Sequence, residues 1–151
     1  MAMLYVDASL AHSENNMYFK SLREACLFAK PGDTIDVISS TDNEISLKGK
    51  PNLPIIIKGR TCLDNVTISN SQYVEFLLDC NNLTINDCMG LSIMACKIKH
   101  IIANNLGLSM LCHIAYETIK INGGGDITID CEDNVEIVNC SKITKCLNSN
   151  N

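Results

Sequence analysis

Residues 83–96 read LTINDCMGLSIMAC, two strand-like runs of one pattern, LTINDC (83–88) and LSIMAC (91–96), separated by Met89-Gly90. The pattern returns as ITIDC (127–131) and VEIVNC (135–140). In each run apolar residues alternate with Thr, Ser, Asn, Asp or Glu, the period of a strand with one face buried. Turn formers and cysteine close each run. Self-similarity on this scale is the signature of a solenoid, in which each repeat buries its apolar face against its neighbours.

Working outward, strand-like runs begin at 66, 74, 83, 91, 101, 108, 118, 127, 135 and 143, with earlier ones at 44–47 and 54–58. Every third start (66, 91, 118, 143) recurs at gaps of 25, 27 and 25, which predicts a three-strand coil of about 26 residues. The expected fold is therefore all-β, a single-stranded right-handed parallel β-helix with three faces and about five coils, occupying residues 1–151 as one domain. An antiparallel sandwich is the rival, since its strands also come every 8 to 12 residues or so. It accounts for neither the recurrence nor the single helical segment. That segment begins at Ser21-Leu22-Arg23-Glu24, a capping box, and places Leu22, Ala25, Cys26 and Ala29 on one face. Pro31-Gly32 ends it, which predicts an N-terminal capping helix over about 21–30.

Leu4-Tyr5-Val6-Asp7, Ser21-Leu22-Arg23-Glu24-Ala25 and Ala29-Lys30-Pro31-Gly32-Asp33-Thr34-Ile35 together resemble the N-terminal module of pectin-lyase-like β-helices. There a first strand, a capping helix and a PGDTI segment lead into the first coil. The resemblance is specific over residues 4–38 and implies the fold. Members include polysaccharide lyases and hydrolases as well as tailspikes, adhesins and structural modules, so fold does not specify function. The Cys-ended strands, residues 135–140 among them, are also similar to the β-helical domains of cyclase-associated protein and tubulin cofactor C.

Composition bounds the function. A net charge of −5 argues against nucleic acid as a partner. No apolar run approaches the roughly 18 residues of a membrane span, and MAMLYVDASLAHSENN lacks the features of a signal peptide. Nine cysteines with no CxxC pair suggest thiols kept reduced in a cytoplasmic setting. Under a 26-residue repeat, Cys62, Cys88, Cys112 and Cys140 would stack in one file, Cys80 with Cys131 in a second and Cys96 with Cys146 in a third.

Catalytic chemistry is poorly supplied. Corners after residue 66 are short, arginine occurs twice (Arg23, Arg60), and tryptophan is absent. The one acidic concentration, Asp126, Asp130, Glu132 and Asp133, is the candidate cation or acid-pair site, against its reading as solvated corner carboxylates. His12, His100 and His113 have no metal-ligand spacing and read as surface residues. No cofactor or metal is expected.

Alternation places Val66/Ile68, Val74/Phe76/Leu78, Leu83/Ile85, Leu91/Ile93, Leu108/Met110, Ile119/Ile121, Ile127/Ile129 and Val135/Ile137 inward. Leu77, Met94, Ile102, Leu111 and Val138 then fall outward and, with Ile143, form the candidate interface, Leu77 and Ile102 sharing one face and Leu111 and Val138 another. After Ile143 the chain runs to LNSNN without a second capping helix, so the last coil is expected to be bare. These features favour a non-catalytic structural or assembly protein, a minimal β-helix that binds copies of itself or a larger assembly such as a virion. The alternatives are a glycan-binding module or minimal polysaccharide lyase or hydrolase, with carbohydrate as partner, and a cytoskeletal-regulator-like binding domain.

Overall fold

The computed structural model describes residues 1–12 and 14–146. In chain order the elements are β1 (Met3–Val6), β2 (Tyr18–Phe19), α1 (Leu22–Cys26), β3 (Thr34–Val37), β4 (Glu44–Ile45), β5 (Ile55–Gly59), β6 (Cys62–Ser69), β7 (Gln72–Phe76), β8 (Asp79–Met94), β9 (Ile98–Cys112), β10 (Thr118–Ile129) and β11 (Val135–Lys145). All named strands pair in parallel, in the order β11-β10-β9-β8-β7-β5-β3-β1-β2, with β4 and β6 stacking on β8 along a second face. The result is the parallel β-solenoid that the alternating runs predict, with very little helix and about six turns rather than the expected five.

The register corrects the repeat. Val66, Leu83, Ile101, Ile119 and Val135 stack in one column, at steps of 17, 18, 18 and 16 residues rather than about 26. Because run starts come every 8 to 10 residues, both every second and every third start recur evenly in the sequence. Economy at the corners decides between them. Single residues with positive φ turn the chain, forming the columns Asn70, Asp87, Asn105, Gly123, Asn139 and Tyr73, Gly90, Leu108, Asp126, Lys142. Asn, Asp and Gly tolerate this left-handed conformation. The two columns of bends enclose a short face, represented by the stacked pair Cys88 and Leu106, between two longer faces. Earlier coils are wider: Leu4, Ile35 and Ile57 stack at steps of 31 and 22.

One core runs the length of the coil. Ile35, Ile57, Phe76, Ile93, Leu111 and Ile129 form one buried stack; Ile45, Ile68, Ile85, Ala103 and Ile121 form another. Each such aliphatic side chain contributes about 1.5–3 kcal/mol on burial. Helix α1 covers the first coil with Leu22 and Ala25, both fully buried. The Glu24 N–H donates to the N-cap Ser21 Oγ at 3.3 Å, and the Glu24 carboxylate reaches back to accept the Lys20 N–H, one residue before the cap, at 3.3 Å. The helix is shorter than the expected 21–30, ending at Cys26. Lys30–Gly32 turns instead on Asp33, whose carboxylate accepts the N–H groups of Lys30 and Ala2 at 2.8 and 2.9 Å.

Candidate interaction surface

The shorter repeat redistributes the candidate residues. Leu111 is fully buried beneath Ile93 and above Ile129, so it cannot line a surface. The reading of residues 108–111 was displaced by one position: Leu108 and Met110 are 54% and 38% exposed, while Ser109 is buried at 4%. Leu108 occupies a corner with φ 49°, and a one-residue offset exchanges the faces of every side chain after it. Leu77 and Met94 are half-buried. Ile102 stands in the outward column Thr84, Ile102, Lys120, Glu136, and Val138 in the column Asn86, Asn104, Asn122, Val138. Leu77 and Ile102 therefore lie in different columns, as do Leu111 and Val138, and the proposed apolar strip does not form. In its place, amides ladder up one side, Asn104 Nδ2 donating to Asn86 Oδ1 at 3.0 Å and Asn139 Nδ2 to Asn122 Oδ1 at 3.4 Å.

The cysteine files are corrected likewise. Cys88 stacks on Leu106, Cys80 on Ile98, Cys112 on Met94 and Cys140 on Gly124. All nine cysteines are free thiols. Burial pushes the thiols of Cys80, Cys96 and Cys131 up to about 12 and that of Cys26 up to about 11, so they stay protonated near neutral pH.

Of the acidic candidates, Asp130 is engaged by His113. Asp130 accepts the His113 N–H with both carboxylate oxygens, at 3.2 and 3.0 Å, with His113 Nδ1 3.5 Å away. Asp126 occupies a corner, and Glu132 and Asp133 are exposed. Tyr116 Oη donates to the Asp133 carbonyl at 2.6 Å. Among the described residues no group of three His, Cys, Asp or Glu side chains is placed to hold a metal ion.

Two features escaped the sequence reading. Beside Ile102 lies an open groove of about 660 Å³ lined by Asn82, His100, Thr118, Lys120 and Glu136. His100 Nδ1 is 2.7 Å from Thr118 Oγ1, and Nε2 is 3.4 Å from the Glu117 carboxylate. A carboxylate, imidazole and hydroxyl in file can activate the hydroxyl in a water-excluded site. Here the His100 and Glu117 side chains are 43% and 64% exposed, so the site does not exclude water. Only the 18-residue step from His100 to Thr118 reveals the pairing. At the other end of the chain, Leu27, Phe28, Met17 and Tyr18 are exposed around α1, with Phe28 stacked on Phe19 at 5.2 Å.

The two ends of the coil differ. The first coil is covered by β2 and α1. At the far end β11 pairs with β10 alone; among the described residues nothing pairs with its other edge, eleven residues long. Ile119, Ile121 and Ile127 are buried, whereas their partners Val135, Ile137 and Ile143 in β11 are half-buried, as is Cys140. Ile143 is thus an inward residue of the last described coil rather than part of an outer strip. The expectation of a bare segment at LNSNN lies outside the described residues.

A parallel β-solenoid, short at its corners and with an unpaired terminal strand among the described residues, is the class that these observations define. No family model, curated protein or solved structure matches the chain. Among the described residues no helix is long and apolar enough to cross a membrane.

Proposed function

We propose that this protein is a non-catalytic structural module, a β-helical brick that assembles with copies of itself or with a larger particle through the outer edge of β11. One observation carries the reading: among the described residues nothing pairs with the outer edge of β11, whose Val135, Ile137 and Ile143 are half-buried. Exposed strand edges template pairing with another chain, and natural sheets cover or break them. The β11 edge carries neither proline nor a covering helix among the described residues. Free thiols throughout the coil support assembly in a reducing compartment, as for a virion component built in the cytoplasm. The likeness of residues 4–38 to pectin-lyase-like β-helices, whose members include structural modules, supports the same reading. Light scattering across a hundredfold range of protein concentration tests it. A mass above that of one chain, rising with concentration, is expected; a monomer throughout would overturn the proposal.

A second reading, a glycan-binding or glycan-cleaving module, draws on the groove beside His100. Calorimetric titration with uronate oligomers distinguishes it. Binding heat abolished by His100→Ala would favour the groove over the strand edge as the working surface.

A further inference from the structure

We infer that the occupant of the β11 edge is a second copy of the same strand, paired antiparallel about a two-fold axis at Cys140. This rests on the assembly reading above and specifies its geometry.

The two ends of the described coil are unlike, which disfavours head-to-tail stacking. The head exposes Leu27 and Phe28, but the edge of β2 beyond it is two residues long, and α1 lies over the first coil. It cannot supply eleven residues of backbone to match β11. Another β11 can. An isologous contact of this kind closes on itself, so it yields a dimer rather than a fibre.

The sequence of β11 suits this arrangement in one register. The strand bends at Asn139 and again at Lys142, both with positive φ. The inward positions Val135, Ile137, Cys140, Ile143 and Lys145 are spaced symmetrically about Cys140, while the bends themselves fall one residue out of step, Asn139 opposite Ser141 and Lys142 opposite Val138. Placing Cys140 opposite the partner's Cys140 then sets Ile137 opposite Ile143 and Val135 opposite Lys145. Each position is inward by its stacking on Ile121, Ile127, Ile119 and Ile129. A shift of one residue would set inward positions against outward ones. Two half-buried apolar pairs are completed in this way, and the shared core continues through the junction.

Charge agrees with the same register. Glu136 falls opposite Thr144 and diagonal to the partner's Lys142. Diagonal neighbours across antiparallel strands are about 7–8 Å apart, within reach of long side chains. Each contact occurs twice by symmetry. The one acid of β11 is thereby matched to a lysine, in a chain whose net charge of −5 otherwise opposes self-association.

Cys140 provides a direct probe, because residues opposite one another in antiparallel strands have Cα atoms about 4.5–5.5 Å apart, inside the range a disulfide spans. The test uses the full chain with the exposed Cys62 and Cys146 changed to serine. Diamide takes up the two hydrogens as two thiols join. The expected product is a dimer whose digest contains a Cys140–Cys140 peptide, lost in Cys140→Ser. A charge swap separates geometry from folding defects. Glu136→Lys should weaken dimerisation about tenfold, and adding Lys142→Glu should restore it, a coupling of about 1.4 kcal/mol at that fold-change. A wild-type dimer that gives no Cys140 cross-link, or a double swap without recovery, would overturn the two-fold arrangement while leaving assembly intact. A wild-type monomer at every concentration would remove both.

Discussion

The backbone N–H of Leu91 donates to the hydroxyl of Ser109 at 3.1 Å, and that hydroxyl donates in turn to the Gly107 carbonyl at 2.8 Å. The same device occurs earlier, where Ser71 Oγ accepts from Leu47 at 3.0 Å and donates to Ser69 at 3.0 Å. Both serines are buried, at 4% and 0% exposure. Turning the chain on one or two residues interrupts the ladder, and a buried N–H without a partner is costly. A short inward hydroxyl completes the ladder where no backbone carbonyl reaches. Ser109→Ala should therefore destabilise the protein by about 1–3 kcal/mol, the cost of an orphaned buried donor. Ser141→Ala, at an exposed position, should stay within about 0.5 kcal/mol. Urea denaturation of the two variants checks the difference.

Gly124 and Gly107, one residue out of register on neighbouring coils, should respond oppositely. Gly124 has φ +110°, and a Cβ there would run into the Leu106 carbonyl oxygen. Gly107 has only the Gly125 carbonyl oxygen near the same point, at 3.7 Å. Gly124→Ala should cost more than about 3 kcal/mol, combining left-handed strain with a backbone collision. Gly107→Ala should be neutral or gain up to about 1 kcal/mol by restricting the unfolded chain. Thermal melts of the two single variants measure this. A soluble, wild-type-like Gly124→Ala protein would contradict the register of β9 on β10.

The fold was legible because alternation survives at every level: Leu83/Ile85, Ile127/Ile129 and their neighbours read as inward and are inward. The N-terminal cap was legible from Ser21 and Glu24, whose spacing encodes a hydrogen bond. Coil length was not, because it depends on corners. A bend made by one residue such as Asp87 or Asn105 leaves the strand continuous, so it has no loop to count. The surface columns inherit that ambiguity, which is why alternation alone groups Ile102 with Leu77 across columns. Residues 108–111 failed for a separate reason. In LSML apolar residues occupy both faces, and the buried serine is selected by the Leu91 N–H, a partner 18 residues away that local pattern does not reveal.

The thiols predict a pH dependence. Desolvation holds Cys80, Cys96 and Cys131 near 12 in the folded chain, whereas an exposed cysteine titrates near 8.5 or so. Between those values the folded state binds more protons than the unfolded state, so stability falls as pH rises. Their stabilising effect is complete below about pH 8.5 and is lost progressively toward pH 12. The melting temperature should decline from pH 8 to pH 10, and Cys80→Val should flatten part of that decline. Under the same conditions a maleimide reagent at pH 7.5 should label Cys62 and Cys146 in minutes and the buried thiols only on unfolding. Rapid labelling of Cys96 in the native protein would contradict its burial.

Ile121 and Ile137 occupy one inward column, one residue above the other across β10 and β11, yet Ile121 is fully buried and Ile137 half-buried. Truncating Ile121 to alanine opens a cavity inside the continuous stack and should cost about 2–5 kcal/mol at any protein concentration. Ile137 in a lone chain already faces solvent on one side, so Ile137→Ala should cost less than half as much in dilute solution. If the terminal coil is covered by a partner, that difference narrows as concentration rises, since association stabilises the folded state by mass action. Denaturation midpoints for both variants, measured at about 1 and 100 times the dissociation constant, give the answer. A deficit of Ile137→Ala that grows with concentration marks the β11 edge as occupied; one that stays fixed marks it as free.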